Sequence, residues 1–388
     1  MTWLEIRPRD VWLFRDGKPF SAGEDHSAHS MFPPTPLTVQ GALRQKISES
    51  LGVSLWQYKN ASKGKTSTNE AEQAVAFIGK HGDMSDFGKF NMCGPFVGLR
   101  TNSSTIPLFP VPADLFKHSK THDFRLSRPG QSLSSDMGED FSFPEVIEDF
   151  ENLPGYWMTG DTFKAYLGNS VPDSSKFTEE GAYQDALTAY QAGKHIWHSQ
   201  LVYQNDNRFG VSTNALTSFR EEGQLYQVQF VRPQSGIGLL VSVNDEIPTY
   251  LLEGTMTIGG EQRQAKVEKV ENVALPAHPE SISGQFKVIF LTPTYFDDGW
   301  QPKDGDWSEV FGGHEVTLKS VVLYRPLKIG GWSNANNRAR AMHNYVAPGS
   351  VYYFQTDATF QPLEAITQVP NKINVKALGF GQYAIGQW

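Results

Sequence analysis

Short apolar runs, each bounded by glycine, proline or polar turn residues, are the feature of this sequence that most limits its fold. Before Pro233 they predict strands at 3–8, 96–100, 106–111 and 225–232. After Gly236 they predict strands at 237–243, 265–270, 286–291, 316–324 and 351–354. Helical patterns lie between them, at 35–52, in a short stretch ending at 167, and at 250–256.

The longest helical pattern has a defined start and a defined end. Thr35 is a typical N-cap residue, and Pro36 is favourable at the first helical position because its missing N–H has no intrahelical partner there. An apolar face follows at Val39, Ala42, Leu43, Ile47 and Leu51, and Gly52 ends the pattern.

The order of these elements is strand, helix, two strands, helix, strand, and it begins again after Gly236. This order predicts an α+β protein made of two ferredoxin-like (RRM-like) domains. We place the domains at 1–234 and 235–388, the second ending in a glycine-rich loop. Two polar stretches of the first domain, about 56–92 and 118–155, are predicted to be long loop insertions.

Charge is unevenly distributed along the 388 residues, whose formal net charge is −8. Residues 131–190 hold twelve acids against Lys164 and Lys176, whereas 316–356 holds five cations and no acid. Two interpretations stay open at this stage. The acidic block and the basic stretch are ordinary solvated surface, or the basic stretch forms the local anion-facing surface of a nucleic-acid-binding protein.

Several classes of protein are excluded by composition. Cys93 is the single cysteine, which rules out an internal disulfide framework and a multi-cysteine metal site. No apolar run approaches the roughly 18 residues that cross a bilayer, and residues 1–7 lack the apolar stretch of a signal peptide. We therefore expect a cytoplasmic protein with no membrane partner and no cofactor.

Catalytic motifs are weak. His26 and His29 lie in a loop segment, and two histidines can supply the base and the acid of metal-free RNA cleavage. A metal-independent RNA endonuclease acting through His26 and His29 is therefore the alternative to a binding function. No catalytic constellation and no metal site is predicted elsewhere.

Binding signals concentrate near the end of the chain. Lys376 precedes a glycine-rich segment in which Gly379 and Gly381 are expected to offer backbone N–H groups to an anion. Phe380 in that segment and Trp332 upstream are expected to stack on RNA bases. Arg208-Phe209-Gly210 through Thr213, together with Glu221-Glu222-Gly223 and Leu225, is predicted to form a long hairpin tip that can reach a partner.

Strings along the whole chain together resemble one family, the RAMP subunit of type III-B CRISPR effector (Cmr) complexes that lies at the 5′-handle end of the guide RNA. The strings are Pro8-Arg9-Asp10-Val11-Trp12-Leu13-Phe14-Arg15-Asp16-Gly17-Lys18-Pro19-Phe20, Phe32-Pro33-Pro34-Thr35-Pro36-Leu37-Thr38-Val39-Gln40-Gly41-Ala42-Leu43-Arg44, Arg208-Phe209-Gly210-Val211, Glu222-Gly223-Gln224-Leu225-Tyr226, Ile258-Gly259-Gly260-Glu261-Gln262-Arg263, Leu291-Thr292-Pro293, Gly330-Gly331-Trp332 and Pro348-Gly349-Ser350-Val351-Tyr352-Tyr353-Phe354. The stretches outside the resemblance are chiefly 56–92 and 118–155.

The resemblance implies a non-catalytic, RNA-binding scaffold subunit with two RAMP domains. It implies that the chain helps to anchor the crRNA 5′ handle and bridges the large polymerase-like subunit to the backbone RAMP subunits of the Cmr complex. The glycine-rich RAMP loop maps onto Gly379, Gly381 and Gly386. A protein-binding adaptor with incidental RNA contacts is the further rival. The candidate RNA-binding residues are Arg7, Arg15, Arg44, Arg208, Lys328, Trp332, Arg338, Arg340, Lys376, Gly379, Phe380 and Gly381.

Overall fold

The computed structural model describes residues 1–15, 27–65, 67–131, 141–213, 220–333, 337–368, 370 and 373–388. This part of the chain has a mixed α and β fold in which most strand pairs are antiparallel. Within it, no helix combines the length and the apolar character needed to span a bilayer.

The described residues form five α-helices and twenty-two strands, joined by turns and short 3₁₀ segments. The helices are α1 (Pro36–Ser50), α2 (Leu55–Ser62), α3 (Asn69–Ile78), α4 (Gly160–Leu167) and α5 (Ala186–Gln191). The strands of the first half are β1 (Thr2–Pro8), β2 (Ser27–Ala28), β3 (Met92–Arg100), β4 (Thr105–Pro110), β5 (Leu115–His118), β6 (Phe124–Leu126), β7 (Phe150–Asn152), β8 (Tyr156–Thr159), β9 (Ile196–His198), β10 (Tyr203–Thr213) and β11 (Arg220–Pro233). The remaining strands are β12 (Ile237–Val243), β13 (Gly254–Thr257), β14 (Gln264–Val270), β15 (Ile282–Phe290), β16 (Thr317–Val322), β17 (Leu327–Ile329), β18 (Trp332–Ser333), β19 (Arg338–Ala339), β20 (His343–Tyr345), β21 (Val351–Phe360) and β22 (Tyr383–Gly386).

Two antiparallel sheets organise the molecule. The first has eight strands in the order β13-β14-β1-β12-β3-β4-β8-β9, and the second has four in the order β16-β21-β15-β22. In the first sheet, β1 pairs with β12 on one side and with β14 on the other. The strands predicted at 3–8, 96–100, 106–111, 237–243 and 265–270 are therefore confirmed and belong to one sheet.

A domain boundary between residues 234 and 235 would divide the strands of this sheet. The predicted restart of the strand pattern at Ile237 is wrong, because β12, β13 and β14 complete the sheet that β1 begins. The second sheet uses only residues from Ile282 onward. The division into two domains stays a prediction, and the sheets favour the segment 271–281 as its boundary.

Helix α1 confirms the prediction made from Thr35 and Pro36. Thr35 has an extended backbone and Pro36 opens the helix, while Val39, Leu43 and Ile47 are buried against the first sheet. Leu51 caps the last turn, and Gly52 takes a left-handed φ of +69°, which glycine adopts without a side-chain clash.

The prediction that residues 56–92 form an inserted loop is wrong for 56–62 and 69–78, which belong to α2 and α3. Ser54 starts α2 with a capping box: its side chain accepts from the Gln57 N–H while the Gln57 side chain accepts from the Ser54 N–H. The Thr68 side chain caps α3 through the Ala71 N–H. Helix α2 buries only Tyr58 and so produces little periodicity, whereas Ala71, Ala74, Phe77 and Ile78 of α3 are buried at helical spacing.

The helix predicted at 250–256 is also wrong. A single 3₁₀ turn spans Thr249–Leu251, and the chain then enters strand β13 at Gly254. Gly254 has a φ of +100°, which breaks any helix, and the following threonines pair with β14.

The glycine-rich C-terminal segment is a packed turn of the core. Gly379 has a φ of +85°, and a Cβ there would overlap the Gly94 carbonyl of β3 and lie 3.0 Å from the Met92 oxygen. Its N–H donates to the Lys376 carbonyl at 3.2 Å, and the Gly381 N–H donates to the Pro293 carbonyl at 3.1 Å. The prediction that these N–H groups are offered to an anion is therefore contradicted.

Phe380 lies between these glycines and is fully buried, with its ring centroid 5.4 Å from that of Tyr345. A base cannot stack on a side chain that has no exposed surface, so the prediction of a stacking role for Phe380 is contradicted. The segment joins the C-terminal part of the chain to β3 of the first sheet.

A buried charge cluster connects the two sheets. The Lys287 ammonium of β15 lies 3.2 Å from Asp114 Oδ2, and both side chains are almost fully buried. Tyr353 of β21 donates to Asp114 Oδ2 at 2.7 Å, and Tyr166 of α4 donates to Oδ1 at 2.6 Å. The Lys287 Nζ also lies 3.8 Å from the centroid of the Tyr166 ring. Burial lowers the pKa of Lys287, and the Asp114 charge opposes that shift.

We predict strong energetic coupling between Asp114 and Lys287. Asp114→Asn or Lys287→Met alone leaves an uncompensated buried group and should lower the free energy of unfolding by about 3–5 kcal/mol. The double variant should cost clearly less than the two single costs together, because neither charge is left unpaired. Urea-induced unfolding of the four proteins measures this, and simple additivity of the costs would contradict the coupling.

A second prediction concerns the close approach at Gly379. Gly313 has a similar φ of +88° but open space around its Cβ position, so Gly313→Ala isolates the backbone strain. That strain should cost about 1–2 kcal/mol. Gly379→Ala should cost about 1–3 kcal/mol more, because the methyl group also clashes with β3. Thermal melting compares the two variants, and equal losses would show that Gly379 is needed only for its dihedral angle.

Candidate nucleic-acid interface

A two-stranded ribbon carries much of the predicted basic stretch. We define the basic ribbon as residues 327–333 and 337–345, formed by the antiparallel pairs β17–β20 and β18–β19. The sequence places no acid between Glu315 and Asp357. Lys328 and Arg338, on opposite arms of the ribbon, are both exposed. The ribbon therefore presents cations without nearby acids of its own.

Trp332 is the exposed aromatic side chain of the basic ribbon. It begins β18, pairs with Ala339, and keeps 58% of its surface exposed. The base of the ribbon is anchored instead, since Ile329 and Tyr345 are buried in the core of the first sheet. An exposed indole on a cationic ribbon is a geometry in which a base can stack while phosphates lie nearby.

A groove of about 460 Å³ lies between the basic ribbon and the loop that follows α3. Its ribbon side is formed by Arg338, Arg340 and His343, and its opposite side by Gly82 and Met84. Arg340 is half-buried, with Nη2 3.5 Å from the Met84 sulfur. Burial and the neighbouring Arg44 charge both lower the pKa of Arg340. A half-buried guanidinium beside a second cation favours an anionic ligand.

Arg44 of α1 is the cation that neighbours Arg340. Its guanidinium donates to the Tyr58 hydroxyl at 3.3 Å and lies 5.0 Å from the centroid of the Phe87 ring. The buried Nε of Arg44 has no hydrogen-bond partner. The structure therefore brings two predicted phosphate-binding residues, Arg44 and Arg340, to one side of the molecule.

Arg7 lies elsewhere, on a face of the first sheet, and is engaged within the protein. It forms ion pairs with Glu5 and Glu268, and Arg100 contacts the same two carboxylates. Lys266 and Arg7 lower the pKa of Glu268 to about 2. The glutamates therefore compete with any phosphate for Arg7, and the structure gives no separate support for Arg7 as an RNA contact.

Arg208 is also paired internally. On β10 it lies 3.0 Å from Asp206 and 3.4 Å from Asp10, and Arg232 of β11 bridges the same two aspartates. These guanidinium groups lower the pKa of Asp206 to about 2. Phe209, the next residue, is 69% exposed on the β10–β11 hairpin. The predicted hairpin is confirmed by the pairing of β10 with β11, and Phe209 is an exposed aromatic residue of β10.

The remaining predicted residues are scattered. Arg15 is exposed and forms an isolated β-bridge with Ser30, and Lys376 is exposed on a 3₁₀ turn. His29 is exposed, whereas His26 lies outside the described residues. Among the residues that the structure describes, no three His, Cys, Asp or Glu side chains are placed to hold a metal ion.

The sequence analysis missed a set of residues on α2. Trp56, Lys59 and Lys63 have the i, i+3, i+7 spacing of one helical face, and Trp56 is 71% exposed. The available signal was the capping box at Ser54, which marks a helix start inside a stretch that we predicted to be a loop.

The acidic block 131–190 lies partly outside the described residues, which exclude 132–140. In the described part, two of its acids are paired with basic side chains: Glu151 with Lys117 at 3.0 Å and Glu179 with His122 at 3.4 Å. The interpretation of this block as ordinary solvated surface stays a prediction.

Comparisons with known proteins give a family and several structural neighbours. A chain in the cryo-EM structure of the Type III-B Cmr-beta bound to cognate target RNA is 16% identical, with a TM-score of 0.47 over 90% of this chain and 86% of that chain. A chain in the crystal structure of the Csm3-Csm4 subcomplex in the type III-A CRISPR-Cas interference complex is 11% identical, with a TM-score of 0.42 over 100% of this chain and 99% of that chain. No curated protein sequence matches the chain. A family model described as CRISPR-associated protein (Cas_Cmr3) matches residues 4–388. The chain therefore belongs to the Cas_Cmr3 family of CRISPR-associated proteins.

Proposed function

We propose that the protein is a non-catalytic, RNA-binding scaffold subunit of a type III-B CRISPR effector complex in the cytoplasm. In this role it helps to anchor the crRNA 5′ handle and bridges the large polymerase-like subunit to the backbone RAMP subunits. The observation that carries the proposal is the basic ribbon, an acid-free arm that presents Lys328, Arg338 and the exposed Trp332 beside the groove of Arg340.

The strand orders support a pair of ferredoxin-like RAMP domains. In the first sheet, the adjacent strands β14, β1, β12 and β3 are respectively the fourth, first, third and second strands of one unit along the chain. Helix α1 lies between the first strand of that unit, β1, and the second, β3. In the second sheet, β22-β15-β21-β16 repeat the same order in one consecutive segment. This is the order of a ferredoxin-like sheet. On this proposal, β4 to β11 are an insertion in the first domain.

The residues of the basic ribbon have complementary tasks in this proposal. Lys328 and Arg338 neutralise phosphates, which fixes the position of the strand without reading its sequence. Trp332 stacks on an unpaired handle base, an interaction that tolerates any base identity. Arg340, being half-buried in the groove, is the residue that orients a phosphate with its planar guanidinium.

We predict that replacing the ribbon cations reduces the salt dependence of handle binding. Lys328→Gln/Arg338→Gln should make the slope of log K against log salt shallower by about 1.4, since each lost phosphate contact contributes about 0.7 for a single strand. Fluorescence anisotropy of labelled handle RNA over a salt series measures the slope. The matched control is Lys164→Gln/Lys303→Gln, which removes two exposed lysines remote in sequence from the ribbon. An unchanged slope in the ribbon variant would refute the phosphate contacts.

Two further measurements separate this proposal from its rivals. Repeat RNA incubated with the pure protein and EDTA should remain intact, and specific cleavage that His26→Ala abolishes would establish the endonuclease instead. In the assembled complex, guide-RNA crosslinks should map within 316–386, and their absence there would favour a purely protein-binding adaptor.

A further inference from the structure

We propose that α2 extends the RNA-binding surface beyond the basic ribbon and holds a second segment of single-stranded RNA. This inference rests on the proposed RNA-binding function of the ribbon and adds to it a site in the stretch 55–82. The site consists of the exposed Trp56 and Lys63 and the half-buried Lys59 and Asn60, which we call the α2 face.

The α2 face combines cations with an exposed aromatic ring on a rigid helix. Its members have the i, i+3, i+4, i+7 spacing that aligns side chains along one side of a helix. The opposite side of α2 is the packing side, where Tyr58 is buried and its hydroxyl donates to the Gly79 carbonyl at 2.6 Å. Trp56 is therefore exposed because of its position on the outer face, and not because α2 is loosely attached.

The lysines of the α2 face are available to a ligand. Neither Lys59 nor Lys63 forms an ion pair within the part of the chain that the structure describes, and residues 50–69 contain no acid. The carboxylates in the loop after α3 form hydrogen bonds within that loop. Asp83 accepts from Ser85, and Asp86 accepts from the Gly88 N–H at 2.8 Å. The outer face of α2 therefore carries net positive charge.

The packing side of α2 contacts the loop that lines the groove. His81 packs against Tyr58 with ring centroids 5.7 Å apart, and its N–H donates to the Ser62 hydroxyl at 2.9 Å. Burial lowers the pKa of His81, and the charges of Lys59, Arg44 and Lys63 lower it further. His81 therefore links α2 to the loop whose Gly82 and Met84 line the groove.

Arg44 brings a further positive charge close to α2. Arg44 donates to Tyr58 of α2, and its charge also reaches Arg340 of the ribbon, whose Nη2 lies 3.5 Å from Met84. Gly82 and Met84 line the groove together with the ribbon. A flexible, stacked polyanion suits this arrangement, because single-stranded RNA supplies both phosphates for the cations and bases for the exposed indoles.

A binding experiment with the full-length chain tests the α2 face. The probe is a fluorescent oligouridine of about 20 nucleotides, longer than a typical single-stranded binding site. Lys59→Gln/Lys63→Gln should make the salt slope shallower by about 1.4, while Lys164→Gln/Lys303→Gln should not change it. Trp56→Leu should raise Kd by about fivefold or more, and Trp56→Phe should restore most of the affinity because it restores an aromatic face.

The outcomes distinguish the inference from the proposed function. If only the variant Lys328→Gln/Arg338→Gln weakens binding, the α2 face is refuted and the ribbon stands. If only the α2 variants weaken binding, the ribbon proposal fails and the α2 face stands. Equal affinity of Trp56→Leu and Trp56→Phe would refute base stacking and indicate an apolar protein contact at α2. Absence of any binding at low salt would overturn both.

Discussion

The buried contact between Asp114 and Lys287 joins the two sheets on which everything else is arranged. The carboxylate belongs to the turn between β4 and β5, and the ammonium belongs to the central region of the second sheet. Two tyrosine hydroxyls donate hydrogen bonds to the same carboxylate. Because burying either charge alone is costly, the cluster is satisfied only when both sheets are in their native relation. The cluster therefore favours one arrangement of the two sheets over alternatives that apolar packing would tolerate.

The glycine-rich C-terminal segment makes a second contact between the C-terminal part of the chain and the first sheet. Gly379 lies so close to β3 that no side chain fits, and Phe380 supports Tyr345 at the base of the basic ribbon. The ribbon therefore projects from a fixed base while its cations and Trp332 remain exposed. The glycine-rich segment thus contributes to the proposed RNA-binding surface by positioning the ribbon, and it does not itself contact an anion.

Much of the fold was predictable because strand and helix periodicity are local properties. The strands β1, β3, β12, β14, β15 and β21, the hairpin β3–β4 and the helix α1 follow from apolar spacing and from turn or capping residues. The errors have physical causes. Helix α2 is short and buries only Tyr58, so its capping box carried more information than its periodicity. Helix α3 does carry buried apolar residues at helical spacing, a signal that the interpretation of 56–92 as a loop did not use. The site prediction identified the basic ribbon but included Phe380, since an aromatic residue between glycines is equally typical of a packed turn and of an exposed loop.

By itself the sequence determined the class of the protein: mixed α and β structure, uneven charge with a basic acid-free stretch, and strings typical of the Cas_Cmr3 family. The tertiary structure alone decided which cationic side chains form ion pairs with distant carboxylates of the same chain. Arg7 and Arg208 each have an acid two residues away in the sequence, but only the structure shows that they also pair with the distant carboxylates of Glu268 and Asp10. It also decided that Ile237–Val243 pairs with the first strand and that Arg44 of α1 contacts Tyr58 of α2. Such relations arise from contacts between residues far apart in the chain, which local periodicity does not encode.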